Sequence, residues 1–346
     1  MSETTRSVAH SASQSAGASQ SAGASHRDLR ATLRRAGFPA LFVAMILFFT
    51  VRIPVFWSPT TAFNIVNGSA VLLLISLAMT LVVTSGGIDL SVDASFAIGA
   101  WGVIIVMLNT GLPWPIALAI AVAVASLVGL LNALLIVKLR ISPFLATLSV
   151  YFIGRSLQKA GTNGGGSVEF YDAPAEFHAV GSGRILGIDV KMWIAAVIVI
   201  ALWFLVSRTS FGHRLDALGL QSRAAENAGI AANRYLTITY VISAVVCALA
   251  GALLTAQLQM YTPMTGYTYQ NDAISAVFIG AAMSSRVRPN VPGTLIAVLF
   301  LSTLGTGLDL MGLDFNLKVA IRGFVLVVAL AVASGLTKRV VRGGGR

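Results

Sequence analysis

The sequence predicts an all-α integral membrane protein of about ten transmembrane helices, and three observations carry that prediction. The 346 residues are 56% apolar and only 11% charged, with a mean hydropathy of +0.82, whereas soluble domains carry about a quarter charged residues. The apolar residues are gathered into ten runs, most of them near the roughly 20 residues that a helix needs to cross a bilayer. The basic residues fall between those runs with one side favoured, which is how orientation is written into a membrane chain.

Residues 1–26 are mostly Ser, Ala, Gly and Gln, with QSAGAS repeated at 14–19 and 20–25. Such a segment cannot bury enough apolar surface to offset its ordering entropy, so residues 1–37 are expected to form a disordered tail ending in a basic anchor, Arg27, Arg30, Arg34 and Arg35. A signal peptide is the rival for this end. The first apolar stretch begins only near Gly37 and no A-x-A-like cleavage site follows it.

The ten runs cover approximately 38–57, 64–84, 92–109, 113–137, 143–160, 191–207, 235–257, 272–285, 291–309 and 316–335. The third and eighth are short or Gly-rich and are read as possible re-entrant or broken helices, which membranes tolerate only inside protein or along a cavity. With the amino terminus inside, 17 of the 24 Lys and Arg residues lie in the tails or in inner loops. That places both termini, the basic tail 336–346 and the loop 208–234 in the cytoplasm. The formal charge of +11 is therefore topological, and no nucleic acid is expected as a partner.

The largest outer segment, 161–190, is Gly-rich and is expected to form a short hairpin or irregular cap. Its His178, with Asp172 and Glu176 nearby, lacks a second His or Cys at ligand spacing, so no metal site is read there. The inner loop 208–234 is the longest charged internal segment, with four arginines. Its alanine-rich middle, Gln221 to Asn227, followed by Gly229 at a helix C′ position, predicts a short surface helix between two spans.

Within the spans, SGGIDLSVD at 85–93 breaks the helical pattern at Gly86 and Gly87, ahead of Asp89. A carboxylate there must face a helix end, a polar cavity or water. Two readings stay open, a cap on the next helix shared with Ser91 and a role in a transport path. Asp272 reads as an N-cap carboxylate at the start of the eighth span, with pore lining as the alternative. Asn132 is expected to bond a neighbouring helix. Arg155 is expected to snorkel, and Trp101, Trp193 and Trp203 to sit at interfaces or in packing.

GGIDLSV at 86–92, LLNALLIVKLRISPFLATL at 130–148, RTSFG at 208–212 with AAENAGI at 224–230, and NDAISAVFIGA at 271–281 together resemble the membrane permeases of bacterial ABC importers for monosaccharides. The likeness extends over roughly residues 40 to 335. It implies a permease domain at 38–335 in the bacterial inner membrane, working with a second permease copy or paralogue and surrounded by lipid. It further implies a periplasmic solute-binding protein that delivers sugar, and a cytoplasmic ATP-binding-cassette ATPase docked on the loop after the sixth span. On this chain the coupling residues would be Gly212, Gly219, Arg223, Glu226, Asn227 and Gly229. The translocation or gating candidates would be Gly86, Gly87, Asp89, Ser91, Asn132 and Asp272.

The chain departs from that pattern at three places. Asp93 stands where the relatives usually have glycine, Leu220-Gln221 where they have Gly-Asn, and GAAMSSRVRPNVPG at 280–293 where they have a glycine-rich turn. The last change exchanges flexible glycines for arginines and prolines and stiffens the turn.

No GxxxxGK[ST], HExxH, CxxC or GxSxG occurs, so catalysis is not expected, no cofactor is expected in this chain, and ATP would be bound by a partner. The sole cysteine, Cys247, excludes an intrachain disulfide. Besides the ABC permease, an ion-coupled secondary transporter using Asp89, Asp93, Asp272 and Arg322 remains open, as does a membrane adaptor without transport. The solute is read only as a class: pentose, hexose, furanose, or a small polyol-like molecule such as a quorum signal.

Overall fold

Apolar runs bounded by Pro, Gly and Asn fold as helices in the computed structural model, which describes residues 37–284 and 288–334. In chain order these are α1 (Gly37–Arg52), α2 (Pro59–Thr84) and α3 (Val92–Thr110). Next come α4 (Trp114–Ala133), extended by a π-helical turn over Leu134–Lys138, and α5 (Pro143–Gly161). They are followed by α6 (Ala175–Ser182), α7 (Val190–Arg208), α8 (Ser210–Leu220), α9 (Ser222–Asn227) and α10 (Ala232–Leu258). The last are α11 (Thr265–Met283), α12 (Val291–Leu310) and α13 (Phe315–Ser334). Two-residue strands β1 (Val168–Glu169), β2 (Arg184–Ile185), β3 (Ile188–Asp189) and β4 (Met260–Tyr261) form two antiparallel pairs, β1 with β4 and β2 with β3. The expected tails at 1–36 and 336–346, and Arg286, lie outside the described residues.

Helix starts follow their capping chemistry. The Ser58 hydroxyl accepts the Thr61 amide at 3.1 Å just before Pro59, and Asn290 Oδ1 accepts the Gly293 amide at 2.7 Å just before Pro292. Proline suits a first turn, where its missing N–H would have no helical partner.

Among the described residues, six of the ten expected spans, α2, α3, α4 with its π turn, α7, α10 and α12, fold as helices long and apolar enough to cross a membrane. The third run is not a broken helix but a continuous one of 19 residues. The eighth begins at Thr265, seven residues ahead of its apolar stretch, and is likewise full length. The discontinuity lies instead between α2 and α3, at residues 85–91.

α2 occupies the centre. Its apolar window is 83% buried, against 17% for α7; both helices are apolar on every face, so it is place in the bundle that separates them. α2 packs against α7, α10, α11 and α12. α4 presents a row of small residues to the bundle, Ala117, Ala121, Ala125, Gly129 and Ala133, all buried. Spacing of four stacks them on one face and lets α4 lie close to α3 and α10. α3 and α10 approach so tightly that a Cβ on Gly99 would stand 1.9 Å from the Ala248 carbonyl oxygen.

Two ends of the bundle differ. One carries α8 and α9. The other carries α6 and the strand pairs, so the expected hairpin in 161–190 is present as β2–β3, beside a helix the sequence reading did not anticipate. His178 sits on that helix, half-buried, with Nδ1 3.1 Å from the Ala256 carbonyl. Among the described residues there is no group that could hold a metal ion.

Candidate functional site

The break at 85–91 runs inside the protein. Gly86 turns the chain with φ +90°, and α3 then starts level with the middle of α5, where a Cβ on Gly154 would meet the Ala94 Cβ at 2.4 Å. Non-helical backbone at that depth needs internal partners. The Thr147 hydroxyl donates to the Ile88 carbonyl at 3.0 Å, and Asp89 Oδ1 accepts the Ser91 amide at 2.9 Å.

Asp89 is the hub of a buried cluster. The Ser91 hydroxyl donates to its Oδ1 at 2.6 Å, the Ser243 hydroxyl of α10 to its Oδ2 at 3.0 Å, and Asn132 Nδ2 to Ser91 Oγ at 2.6 Å. Asp89, Ser91 and Asn132 are thus brought together across α3, α4 and α10. Ser91 occupies the N-cap position of α3 but makes no side-chain cap bond; the Asp89 carboxylate serves its amide instead.

Asp93, one of the departures, anchors a second cluster. Gln158 Nε2 donates to Asp93 Oδ2 at 2.9 Å, while Gln158 Oε1 accepts from the Tyr261 hydroxyl at 2.8 Å and the Met264 amide at 2.9 Å. One amide side chain therefore ties α3, α5, β4 and the start of α11. Burial and the Asp93 carboxylate push the Tyr261 phenol up, which keeps it a donor.

Asp272 is not an N-cap. It lies seven residues inside α11 and pairs with Arg322 of α13 at 3.2 Å, because α11 takes in the polar run TGYTYQN ahead of the expected start of the span. Arg155 reaches Tyr151 Oη at 3.1 Å, and Trp193 donates to the Ile185 carbonyl at 3.3 Å.

The charged loop folds as two helices rather than one. α9 ends as expected, with Gly229 at φ +86° and its amide on the Glu226 carbonyl at 2.9 Å. Arg223, Glu226 and Asn227 are exposed, and among the described residues Glu226 is held only by the Ser222 hydroxyl at 2.9 Å. α8 is fixed to the bundle on three sides. At Gly219 it meets the end of α2, where an added Cβ would stand 2.1 Å from the Thr84 carbonyl oxygen. Asp216 pairs with Arg288 at 2.5 Å in the turn before α12, and Arg214 donates to the Tyr235 hydroxyl on α10. Gly212 allows α8 to fold back on α7, for a Cβ there would lie 1.9 Å from the Val206 carbonyl oxygen.

A family model described as "Branched-chain amino acid transport system / permease component" matches residues 61–330. The chain belongs to this permease family. The permease is 33% identical over 293 residues to the ribose import permease protein RbsC of Bacillus subtilis, covering 85% of this chain and 90% of that one. It is 32% identical over 272 residues to the galactofuranose transporter permease protein YtfT of Escherichia coli, covering 78% and 79%. It is 29% identical over 261 residues to the autoinducer 2 import system permease protein LsrD of Yersinia enterocolitica, covering 74% and 78%. No solved structure matches it significantly.

Several residues that build the permease's polar clusters escaped the sequence reading. Ser243 and Thr147 look like ordinary small residues in apolar helices, and nothing in their local sequence marks them. Gln158 carried a usable signal, an uncharged amide inside a span, where polar groups need partners.

Proposed function

We propose that this permease is the translocation subunit of an ATP-binding-cassette importer that carries a monosaccharide or similar small polar solute across the bacterial inner membrane. It spans the membrane about ten times, with both termini and the α8–α9 end in the cytoplasm, consistent with the inner bias of its basic residues. Residues 38–335 act as the permease domain, with 161–190 on the periplasmic side and 208–234 as the coupling loop. A separate ATPase docks on α8 and α9, a periplasmic binding protein delivers solute at the opposite end, and a second permease copy or paralogue completes the path. The chain needs no cofactor of its own, since ATP is bound by the partner.

The observation that carries this reading is the attachment of α8. A surface helix that only filled a loop would need no close backbone contact. This one reaches α2 through Gly219, α10 through Tyr235 and the turn before α12 through Arg288. Movement of α8 by an ATPase is thereby passed to the end of α2 and to the break at 85–91. Gly86 and Gly87 then act as the flexible point, and Asp89, Ser91 and Asn132 hold the broken segment in one arrangement.

The test is uptake in proteoliposomes. Uptake that needs the ATPase, ATP and binding protein, and that persists when a protonophore collapses the proton gradient, supports the proposal. Uptake by the purified chain alone, driven by an ion gradient, overturns it.

A further inference from the structure

A cavity of about 450 Å3 opens between α2, α11, α12 and α13, within the range of roughly 300–1,000 Å3 usual for small-molecule sites. Its wall includes Thr268, Tyr269, Asp272, Ser302, Thr306 and Arg322. Glycine at 305 makes room for the guanidinium, since a Cβ there would stand 2.6 Å from an Arg322 terminal nitrogen. Arg322 Nη1 pairs with Asp272 Oδ2 at 3.2 Å, and Arg322 Nε is buried without a partner. At the rim, Lys318 pairs with Asp309 at 2.7 Å.

The hydroxyls here differ from many others in the bundle. Thr80, Thr84 and Thr303 each donate to the carbonyl one turn back, the usual habit of helical Thr. The side-chain hydroxyls of Thr268, Ser302 and Thr306 make no hydrogen bond among the described residues. Asp272 and Arg322 each lie seven residues from the start of their helices, about 10 Å along the axis. Charges at that depth are costly against hydrocarbon, so the opening faces water or another polar surface.

The two acids and two bases are paired, which leaves the wall without net charge. An ionic solute would have to break a pair, whereas a neutral solute rich in hydroxyls can donate to Asp272, accept from the Arg322 guanidinium, and bond the three free hydroxyls, with the Tyr269 ring as an apolar face. We propose that this cavity binds a neutral polyhydroxylated solute of monosaccharide size, held chiefly by Asp272 and Arg322. The proposal rests on the permease reading above and names the site and solute class within it.

The test uses the complete importer in proteoliposomes, with neutral pentoses and hexoses and a charged hexuronate as probes. Wild type should carry a neutral sugar and not the hexuronate, and both Asp272→Asn and the double variant Asp272→Asn/Arg322→Gln should lower uptake by about tenfold or more. A pair with a purely structural role predicts recovery in the double variant, where no unpaired charge remains, and wild-type uptake there overturns the site while leaving the permease reading intact. A Thr306→Cys variant tests occupancy without altering the pair, because the sole native thiol, Cys247, is buried. The neutral sugar should slow thiol labelling at that position several-fold; labelling unchanged by sugar, or the hexuronate as the only cargo, overturns the proposal. If wild type hydrolyses ATP with its partners yet moves no solute, the permease reading itself fails and takes the site with it.

Discussion

Gly219 of α8 and Gly86 of the broken segment touch backbone to backbone: a Cβ on Gly86 would meet the Gly219 Cα at 3.3 Å, and one on Gly219 would stand 2.1 Å from the Thr84 carbonyl oxygen. No side chain is interposed between the surface helix and the end of α2 that could absorb a displacement.

Gly219→Val should therefore force α8 off α2. Overpacking of this kind costs about 1–3 kcal/mol, and solute uptake by the reconstituted importer should fall at least about tenfold, with Gly219→Pro abolishing it. The check is uptake measured beside membrane-inserted protein level. Normal uptake by both variants removes α8 from the coupling route.

Glu226→Arg separates docking from folding. Glu226 is exposed and, among the described residues, bonded only to Ser222, so stability should change by no more than about 0.5 kcal/mol. Binding-protein-stimulated ATP hydrolysis should nonetheless be lost, through charge reversal on the exposed face of α9. A melting curve matching wild type, together with unstimulated ATPase, is the outcome to look for.

Asp89→Ala should destabilise more than Asp89→Asn. Alanine strands the Ser91 amide and the hydroxyls of Ser91 and Ser243, all buried, at about 1–3 kcal/mol for an unsatisfied group. Asparagine keeps one oxygen acceptor for them. The order of melting temperatures in detergent decides it, and equal values would mean that the network is not what holds the segment.

Gln158→Leu removes one residue from four elements at once. Asp93, the Tyr261 hydroxyl and the Met264 amide each lose a partner, so the loss should clearly exceed that of Tyr261→Phe, which removes a single bond worth about 0.5–1.5 kcal/mol. Proteolysis of residues 259–264 in membranes offers a local readout, with faster cleavage expected in Gln158→Leu.

Much of the architecture was legible because membrane solvation constrains local sequence so strongly. Each of the ten apolar runs contains a helix, and Gly229 ends the surface helix where a left-handed residue was needed. The errors have a common origin. Asp272 was read as a cap because hydropathy falls across TGYTYQN, yet that run is helical: Thr265, Thr268 and Tyr269 line a cavity, Tyr269 packs on Phe96 of α3 and Tyr267 on Tyr151 of α5. The third span looked short because α3 begins at mid-depth after a non-helical segment, and hydropathy along the chain does not measure depth.

By itself the sequence determined that this protein is a helical membrane protein, because apolar spans and the basic residues between them leave marks that are local and periodic, while its motifs carried the resemblance to permeases. Only the tertiary structure decided which polar residues act together. Asp89 with Ser243, Gln158 with Asp93, and Asp272 with Arg322 lie far apart in sequence. Each pairing is made by close helix approach, and no spacing along the chain records which helices will be neighbours.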